Sequence, residues 1–176
     1  MDLTEKLVAS KLLYDGRIIK LRCDTVTLPD GGSSTREIVE HPGAVAIVPV
    51  TADGRVVLVR QYRHAVGALT LEIPAGTLAP GEEPLSCAYR ELEEETGYTA
   101  GSLQYLSSVY TTPGFTNEKI HLYVAGQLSE AKQSTDDDEF INVEIYTSEQ
   151  IRSFIDTGAI CDAKSILALL LSGVIS

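Results

Sequence analysis

The chain has 176 residues, of which 44% are hydrophobic, and its formal net charge is −11 at pH 7. This length and composition predict one globular domain with a proper core, and they leave room for a small appendage. The strong negative charge argues against a nucleic-acid-binding or anionic-membrane-binding protein, because both functions require a basic surface.

The cysteines and the N-terminus indicate the compartment. Cys23, Cys87 and Cys161 are far apart and form no CxxC pair, which argues against a zinc site or a disulfide framework. The first residues lack the hydrophobic region and cleavage site of a signal peptide. No apolar run reaches the roughly 18 residues of a membrane span. We therefore expect a cytoplasmic protein with free thiols and no membrane partner.

Residues 1–40 have the pattern of antiparallel β-hairpins. Turn signals occur at Asp15-Gly16 and at 29–32, and alternating apolar residues occupy 17–28 between them. The region is too thin to bury its own apolar face. We expect it to pack on the main domain or on another subunit, and a homodimer is the prediction.

Residues 41–176 alternate between strand and helix patterns. Apolar runs bounded by turn residues predict strands over 44–50, 55–63, 69–74, 103–110, 119–125 and 140–146. Helices are predicted from Pro84 to just before Gly97, and over 148–156 and 163–171. In the first helix, Leu85, Ala88 and Leu92 are expected to face the core. The order predicts an α+β fold, a sandwich with a central mixed sheet and helices on both faces.

The first predicted helix carries an unusual concentration of negative charge. Glu91, Glu94 and Glu95 share one face, since residues three and four apart are neighbours on a helix. Two carboxylates about 5 Å apart repel by roughly 3 kcal/mol at an effective dielectric constant near 20. Either water screens this face or a cation neutralises it. A second acidic cluster, 136–139, lies in a loop before a strand, and oxygen-only donors of this kind suit a hard cation such as Mg²⁺.

The stretch 76–98 also carries a motif. Glycine is followed after five residues by glutamate, then after seven by Arg-Glu-Leu-x-Glu-Glu-x-Gly-Tyr. This pattern resembles the complete signature of the Nudix hydrolase family. The similarity to the bacterial ADP-ribose pyrophosphatase branch extends to further segments, which are 36–39, 41–44, 61–63, 113–114 and Glu118.

The resemblance implies a Nudix-type α/β/α sandwich that hydrolyses nucleoside diphosphates linked to another group, with Mg²⁺ or Mn²⁺. It assigns metal binding to Glu91, Glu94, Glu95, Glu139 and the backbone carbonyl of Ala75. Glu139 would be the general base or would position the attacking water, with Asp137 as the second candidate. The catalytic set it implies is Glu139, Glu95, Glu94 and Asp137. Arg90 would hold Glu94 one turn along the helix.

The resemblance also assigns substrate contacts. Arg63 would bind the diphosphate, Arg36 and Glu37 the adenosine end across a dimer interface, and Glu118 the terminal ribose. Pro113-Gly114 lies fifteen residues beyond Tyr98, a spacing that in this family indicates ADP-ribose, and Gly114 joins the substrate-binding set. The products would be AMP and ribose 5-phosphate. Residues 1–40 would serve dimerisation and adenosine binding, and residues 41–176 catalysis.

Other interpretations remain open from the residues alone. Arg36 and Glu37 also suit an ordinary cross-strand surface pair, and Arg63 the end of a strand. The substrate could be another nucleotide sugar or a dinucleotide. A catalytically silent nucleotide-sugar sensor is a further alternative, although the intact carboxylates argue against it. The chain has no tryptophan, so adenine must stack on tyrosine, phenylalanine or arginine if it stacks at all.

Overall fold

A computed structural model describes residues 2–175, and the chain forms two compact units. One unit, here the N-terminal unit, combines the chain up to Gly43 with the segment Tyr110–Lys119. The other, here the larger unit, consists of Ala44–Val109 and the chain from Ile120 onward. The segment Tyr110–Lys119 joins the N-terminal unit through Val39, whose N–H donates to the carbonyl of Phe115 at 2.8 Å.

The N-terminal unit contains a three-stranded antiparallel sheet in the order β1-β2-β3. Its strands are Lys6–Asp15 (β1), Lys20–Thr27 (β2) and Ser33–Glu40 (β3). The predicted antiparallel region is therefore confirmed as two successive hairpins. Every residue of β1 is exposed, whereas β2 buries Asp24 and Val26. The first strand thus contributes a paired backbone but almost no core.

The described residues of the larger unit form two sheets and three helices. The strands are Ala44–Pro49 (β4), Val56–Arg63 (β5), Ala68–Glu72 (β6), Ala75–Thr77 (β7), Tyr98–Tyr110 (β8), Lys119–Glu130 (β9) and Asn142–Tyr146 (β10). The helices are Pro84–Thr96 (α1), Ser148–Asp156 (α2) and Ala163–Leu171 (α3). A mixed sheet has the order β7-β4-β9-β8, with β4 parallel to β9 and antiparallel to β7. A second, antiparallel sheet has the order β10-β5-β6.

Strand β4 is buried on both faces, as its continuous apolar run predicts. Ala46 and Val48 belong to the larger core cluster, which includes residues of the second sheet, α2 and α3. Val45 and Ile47, pointing the other way, belong to the cluster with α1. Helices therefore cover both faces of the mixed sheet, and the predicted α+β class is confirmed. Among the helices of residues 2–175, none is long and apolar enough to cross a membrane.

Helix α1 contacts the sheet with a different stripe from the predicted one. Ala88 and Leu92 are buried as expected, but Leu85 is 47% exposed and Cys87 is buried in its stead. The buried residues of the helix begin at Cys87, so Leu85 lies outside the contact. Gly97 ends the helix in the left-handed conformation with φ 70°, as predicted, and its N–H donates to the carbonyl of Glu93.

Candidate active site

The short strand β7 brings the backbone against the acidic face of α1. It pairs with β4 at the edge of the mixed sheet, with Ala75 opposite Ala46. Gly76 then lies directly on the Glu91 carboxyl group, because a Cβ added at Gly76 would come within 1.8 Å of the Glu91 carboxyl carbon. Only a residue without a side chain leaves room for Glu91 in this place. The first glycine of the motif is thus explained by close approach.

Gly76→Ala is expected to lower turnover by about 10²-fold, the cost of misplacing a reacting or ligating group by about 1 Å. The new methyl group displaces the Glu91 carboxylate, while the backbone of position 76 tolerates alanine. Thermal unfolding should therefore change little. Gly126→Ala is the steric comparison, since a Cβ there meets only the Ser102 hydroxyl at 3.3 Å and the residue has no place in the proposed site. Unchanged turnover in Gly76→Ala would contradict the importance of the Glu91 position.

Glu95 is the buried member of the acidic face. It is 3% exposed, and its Oε2 accepts a hydrogen bond from the Ala75 N–H at 2.8 Å. Burial raises the pKa of Glu95 to about 8; the Ala75 N–H and Arg63 lower it, whereas Glu91 and Glu139 raise it further. Burial also raises the pKa of Glu91, against the effect of Arg90. A nearby cation would favour the ionised form of both groups.

The raised pKa of Glu95 predicts how the stability of the metal-free protein depends on pH. Between the ordinary value of 4.5 and about 8, the folded state holds a proton on Glu95 that the unfolded state has lost. The free energy of unfolding therefore decreases as pH rises through this window. Glu95→Gln removes this contribution, so the variant should gain stability over the unsubstituted protein at pH 8 but not at pH 4. Urea unfolding of both proteins in the presence of a chelator, at pH 4 and at pH 8, measures the difference between their free energies of unfolding. A difference that is the same at both pH values would contradict the raised pKa of Glu95.

Arg90 holds the exposed side of the acidic face together. Its Nη1 donates to Glu91 at 2.7 Å and to Glu94 at 2.8 Å, which confirms the predicted pair one turn along the helix. Its Nε and Nη2 bind Glu82 at 2.9 and 3.0 Å. The hydrogen bond from Arg90 lowers the pKa of Glu82 to about 2. Three carboxylates around one guanidinium leave the group with net negative charge, which a cation can offset.

Cys87 lies beside this group and has a thiol that is hard to ionise. Burial raises the pKa of its thiol to about 12, and Glu91 raises it further. The neighbouring carboxylate thus raises this pKa as expected, and burial is the larger cause.

The acidic loop after β9 is attached to the C-terminal end of α1. The side-chain amide of Gln133 donates to the carbonyl of Glu95 at 2.7 Å, and the N–H of Ser134 donates to the carbonyl of Glu94 at 3.0 Å. Farther along the loop, Glu139 is exposed, and its charge raises the pKa of both Glu91 and Glu95. The structure thus brings Glu139 towards the acidic face. Asp137 is exposed in the same loop.

Arg63 lies at the end of β5 and has a buried partner that the sequence did not reveal. Its Nε and Nη2 bind the two carboxylate oxygens of Glu72 at 2.9 and 2.8 Å. Burial would raise the pKa of Glu72, but Arg63 and Lys164 lower it to about 2. Arg63 in turn lowers the pKa of Glu95, which shows that its charge acts on the acidic face.

The residues present fit a hard divalent cation by their chemistry. The acidic face offers carboxylate oxygens, and the burial of Glu95 disfavours its ionised form unless a cation is near. Within residues 2–175, no three His, Cys, Asp or Glu side chains converge closely enough to hold a metal ion. Glu91 and Glu94 instead bind Arg90.

Comparison with known proteins assigns the family. The profile described as the NUDIX domain matches residues 40–169, and that described as the nucleoside diphosphate sugar hydrolase N-terminal domain matches residues 5–39. The chain belongs to the Nudix hydrolase family. An ADP-ribose pyrophosphatase of Bacillus subtilis is 44% identical, over 96% of this chain and 92% of its own length. A methanol dehydrogenase activator of Bacillus methanolicus is 43% identical, over 94% and 90%.

A solved structure has the same fold as this Nudix hydrolase. The crystal structure of an ADP compounds hydrolase superimposes with a TM-score of 0.87, covering 98% of this chain and 95% of that one at 22% sequence identity. Nudix hydrolases generally require divalent cations, which agrees with the oxygen-only donor set of α1. The fold and the family predicted from the motif are therefore confirmed.

The remaining predicted substrate-binding residues of this Nudix hydrolase lie in the N-terminal unit. Arg36, Glu37 and Gly114 line a cavity of about 380 Å³ within that unit. Arg36 forms an ion pair with Glu5, not with its neighbour Glu37. Glu118 lies outside the cavity lining and accepts a hydrogen bond from Thr111 at 2.8 Å. Three of the four residues are thus brought together.

Proposed function

We propose that this Nudix hydrolase cleaves the diphosphate bond of ADP-ribose, giving AMP and ribose 5-phosphate, with Mg²⁺ or Mn²⁺ as cofactor. The observation that carries the proposal is the buried Glu95 on the acidic face of α1. Its carboxylate accepts a hydrogen bond from the Ala75 N–H, and its pKa is affected by Glu91 and Arg63. The choice of ADP-ribose is supported by the name of the Bacillus subtilis relative at 44% identity.

In this proposal the carboxylates of the larger unit hold the cations and act on the attacking water. Glu91 and Glu95, with Glu94 and the carbonyl of Ala75, hold the divalent cations. When bound, the cations offset diphosphate charge and lower the pKa of coordinated water. Glu139 accepts the proton of the attacking water or positions that water. Glu139 also completes the oxygen donor set, since its charge already acts on Glu91 and Glu95.

Other residues hold the substrate. Arg63 binds the diphosphate, because a planar guanidinium suits phosphate oxygens. Arg36 and Glu37 contact the adenosine end across the dimer interface, Gly114 belongs to the same substrate-binding set, and Glu118 contacts the terminal ribose. The cavity of the N-terminal unit supports the adenosine assignment, since it contains a guanidinium and the 53% exposed aromatic ring of Phe115. Phe115 is therefore our candidate for stacking on adenine in a chain without tryptophan.

We propose that the protein is a homodimer that uses β1. This strand exposes apolar side chains along its length: Leu7, Val8, Leu12, Leu13 and Tyr14. It also lies at the edge of the N-terminal sheet, so one side of its backbone has no neighbouring strand in that sheet. A second copy would cover both features at once.

Light scattering tests the oligomeric state, with a dimer mass expected at micromolar protein. Leu12→Lys should shift the equilibrium towards monomer by placing a charge in the interface. Val66→Lys, at a 68% exposed apolar residue of the larger unit, is the comparison variant and should remain dimeric. A monomeric mass for the unsubstituted protein would contradict the proposal.

The division of labour and the compartment belong to the same proposal. Residues 1–40 serve dimerisation and adenosine binding, and residues 41–176 catalyse the reaction. Cys23, Cys87 and Cys161 are free thiols in the structure, which suits the reducing cytoplasm that we propose as its location.

The function is tested by incubating the purified protein with Mg²⁺ and ADP-ribose and separating the products. We expect AMP and ribose 5-phosphate, and the highest kcat/KM for ADP-ribose in a panel with other nucleotide sugars and dinucleotides. A higher kcat/KM for another member of the panel would change the proposed substrate but would leave the proposed metal site unaffected. Tight binding without turnover would favour a silent sensor.

A further inference from the structure

Glu72, the last residue of β6, is a buried carboxylate that holds two cationic side chains. It is 2% exposed and binds Arg63 through both oxygens, at 2.9 and 2.8 Å. Lys164 donates to its Oε2 as well, and the hydroxyl of Thr70 donates to its Oε1 at 2.6 Å. A carboxylate with so many donors has one orientation, and it fixes the guanidinium plane of Arg63.

The cationic partner Lys164 comes from a distant part of the chain. It is the second residue of α3, and its Nζ also binds Asp162 at 2.9 Å. Asp162 caps α3 by accepting from the N–H groups of Lys164 and Ser165. The hydroxyl of Ser165 accepts from the N–H of Ile73 at 2.9 Å. The start of α3 therefore fixes both Glu72 and the residue after it, where the chain turns towards β7.

The exposed part of Arg63 faces away from Glu72. Because Nε and Nη2 bind Glu72, the guanidinium directs Nη1 to the opposite side, and 41% of the side chain remains exposed. The same guanidinium acts electrostatically on Glu95.

We propose that Glu72 is a positioning residue for Arg63, whose guanidinium it holds in one orientation towards the diphosphate. Lys164 and Asp162 complete a charge-balanced group of two acids and two bases that keeps Glu72 ionised in the interior. The inference depends on the proposed role of Arg63 as the diphosphate contact. It adds a requirement that the Nudix motif itself does not contain, since Glu72 precedes Gly76 and Lys164 lies in α3.

A double-substitution cycle on kcat/KM for ADP-ribose tests this inference. Arg63→Ala and Glu72→Gln should each lower kcat/KM by about 10- to 100-fold, the range expected for a lost hydrogen bond to a charged group. Both should divide the loss between kcat and KM in the same proportion. When Glu72→Gln is added to Arg63→Ala, kcat/KM should fall by less than about a further 3-fold, because the effect of Glu72 on kcat/KM depends on Arg63. Additive losses would overturn the inference.

Matched controls separate positioning from simple loss of stability. Glu144→Gln breaks the comparable two-bond pair of Arg60 on the same strand, at 2.7 and 2.9 Å, and should leave kcat/KM within about 3-fold. If Glu72→Gln does not fold, Glu72→Asp supplies the same cycle. It keeps a carboxylate for Lys164, but it is one methylene shorter and loses a bond to Arg63. If the unsubstituted protein does not cleave ADP-ribose, the proposed function fails, whereas activity with additive losses rejects only the role of Glu72.

Discussion

Glu95→Gln is expected to lower ADP-ribose turnover by about 10³-fold while leaving the fold intact, since a bound metal contributes several kcal/mol of transition-state stabilisation. In the unsubstituted protein the Ala75 N–H donates to Glu95 at 2.8 Å. Glutamine keeps an oxygen that can accept this hydrogen bond. It cannot become an anion, so it removes a charged ligand from the buried end of the site. The variant is thus a test of charge and not of packing.

The measurement is steady-state turnover with saturating Mg²⁺, with circular dichroism to verify folding. Glu93→Gln is the matched control, because Glu93 is an exposed residue of the same helix and has no place in the proposed site. It should retain turnover within about 3-fold, as surface substitutions usually have small effects. If the Glu95→Gln variant turned over ADP-ribose as fast as the unsubstituted protein, the acidic face of α1 would have no role in the mechanism.

Glu139→Gln is expected to have the second largest effect, a loss of about 10²- to 10³-fold in kcat, in the range of general base catalysis. Glu139 is favoured over Asp137 because its charge acts on both Glu91 and Glu95. The loop that carries it is attached to α1 by Gln133 and Ser134, so the distance to the cation site is restricted.

The comparison with Asp137→Asn decides between the two acids. Both substitutions remove one negative charge from the same loop, so a general electrostatic effect would lower kcat equally in the two variants. We expect Asp137→Asn to lose less than about 10-fold in kcat, below the range of a general base. A greater loss in Asp137→Asn than in Glu139→Gln would transfer the role to Asp137.

Local sequence signals predicted much of this fold. The bounds of α1 follow from Pro84 and Gly97, which act within one turn of the helix end. The two buried faces of β4 follow from its uninterrupted apolar run. The pairing of Arg90 with Glu94 follows from helix spacing alone. These features depend on neighbours in the chain, which the sequence displays directly.

The features that were missed depend on contacts between distant segments. The partnership of Glu72 with Lys164 joins residues 92 positions apart, and no local pattern signals it. Gln133 is one polar residue in a polar loop, so its bond to α1 is equally invisible in sequence. Leu85 was placed in the core by periodicity, but periodicity cannot say where along a helix the sheet contact begins. The roles of the substrate-binding residues stay predictions.

A crystal structure with Mg²⁺ and a non-hydrolysable ADP-ribose analogue is the most direct test of the central claim. We predict cations bound by Glu91, Glu95 and the carbonyl of Ala75, with Arg63 on the diphosphate and Glu139 facing the water. Cations and diphosphate bound away from the carboxylates of α1 would contradict the account.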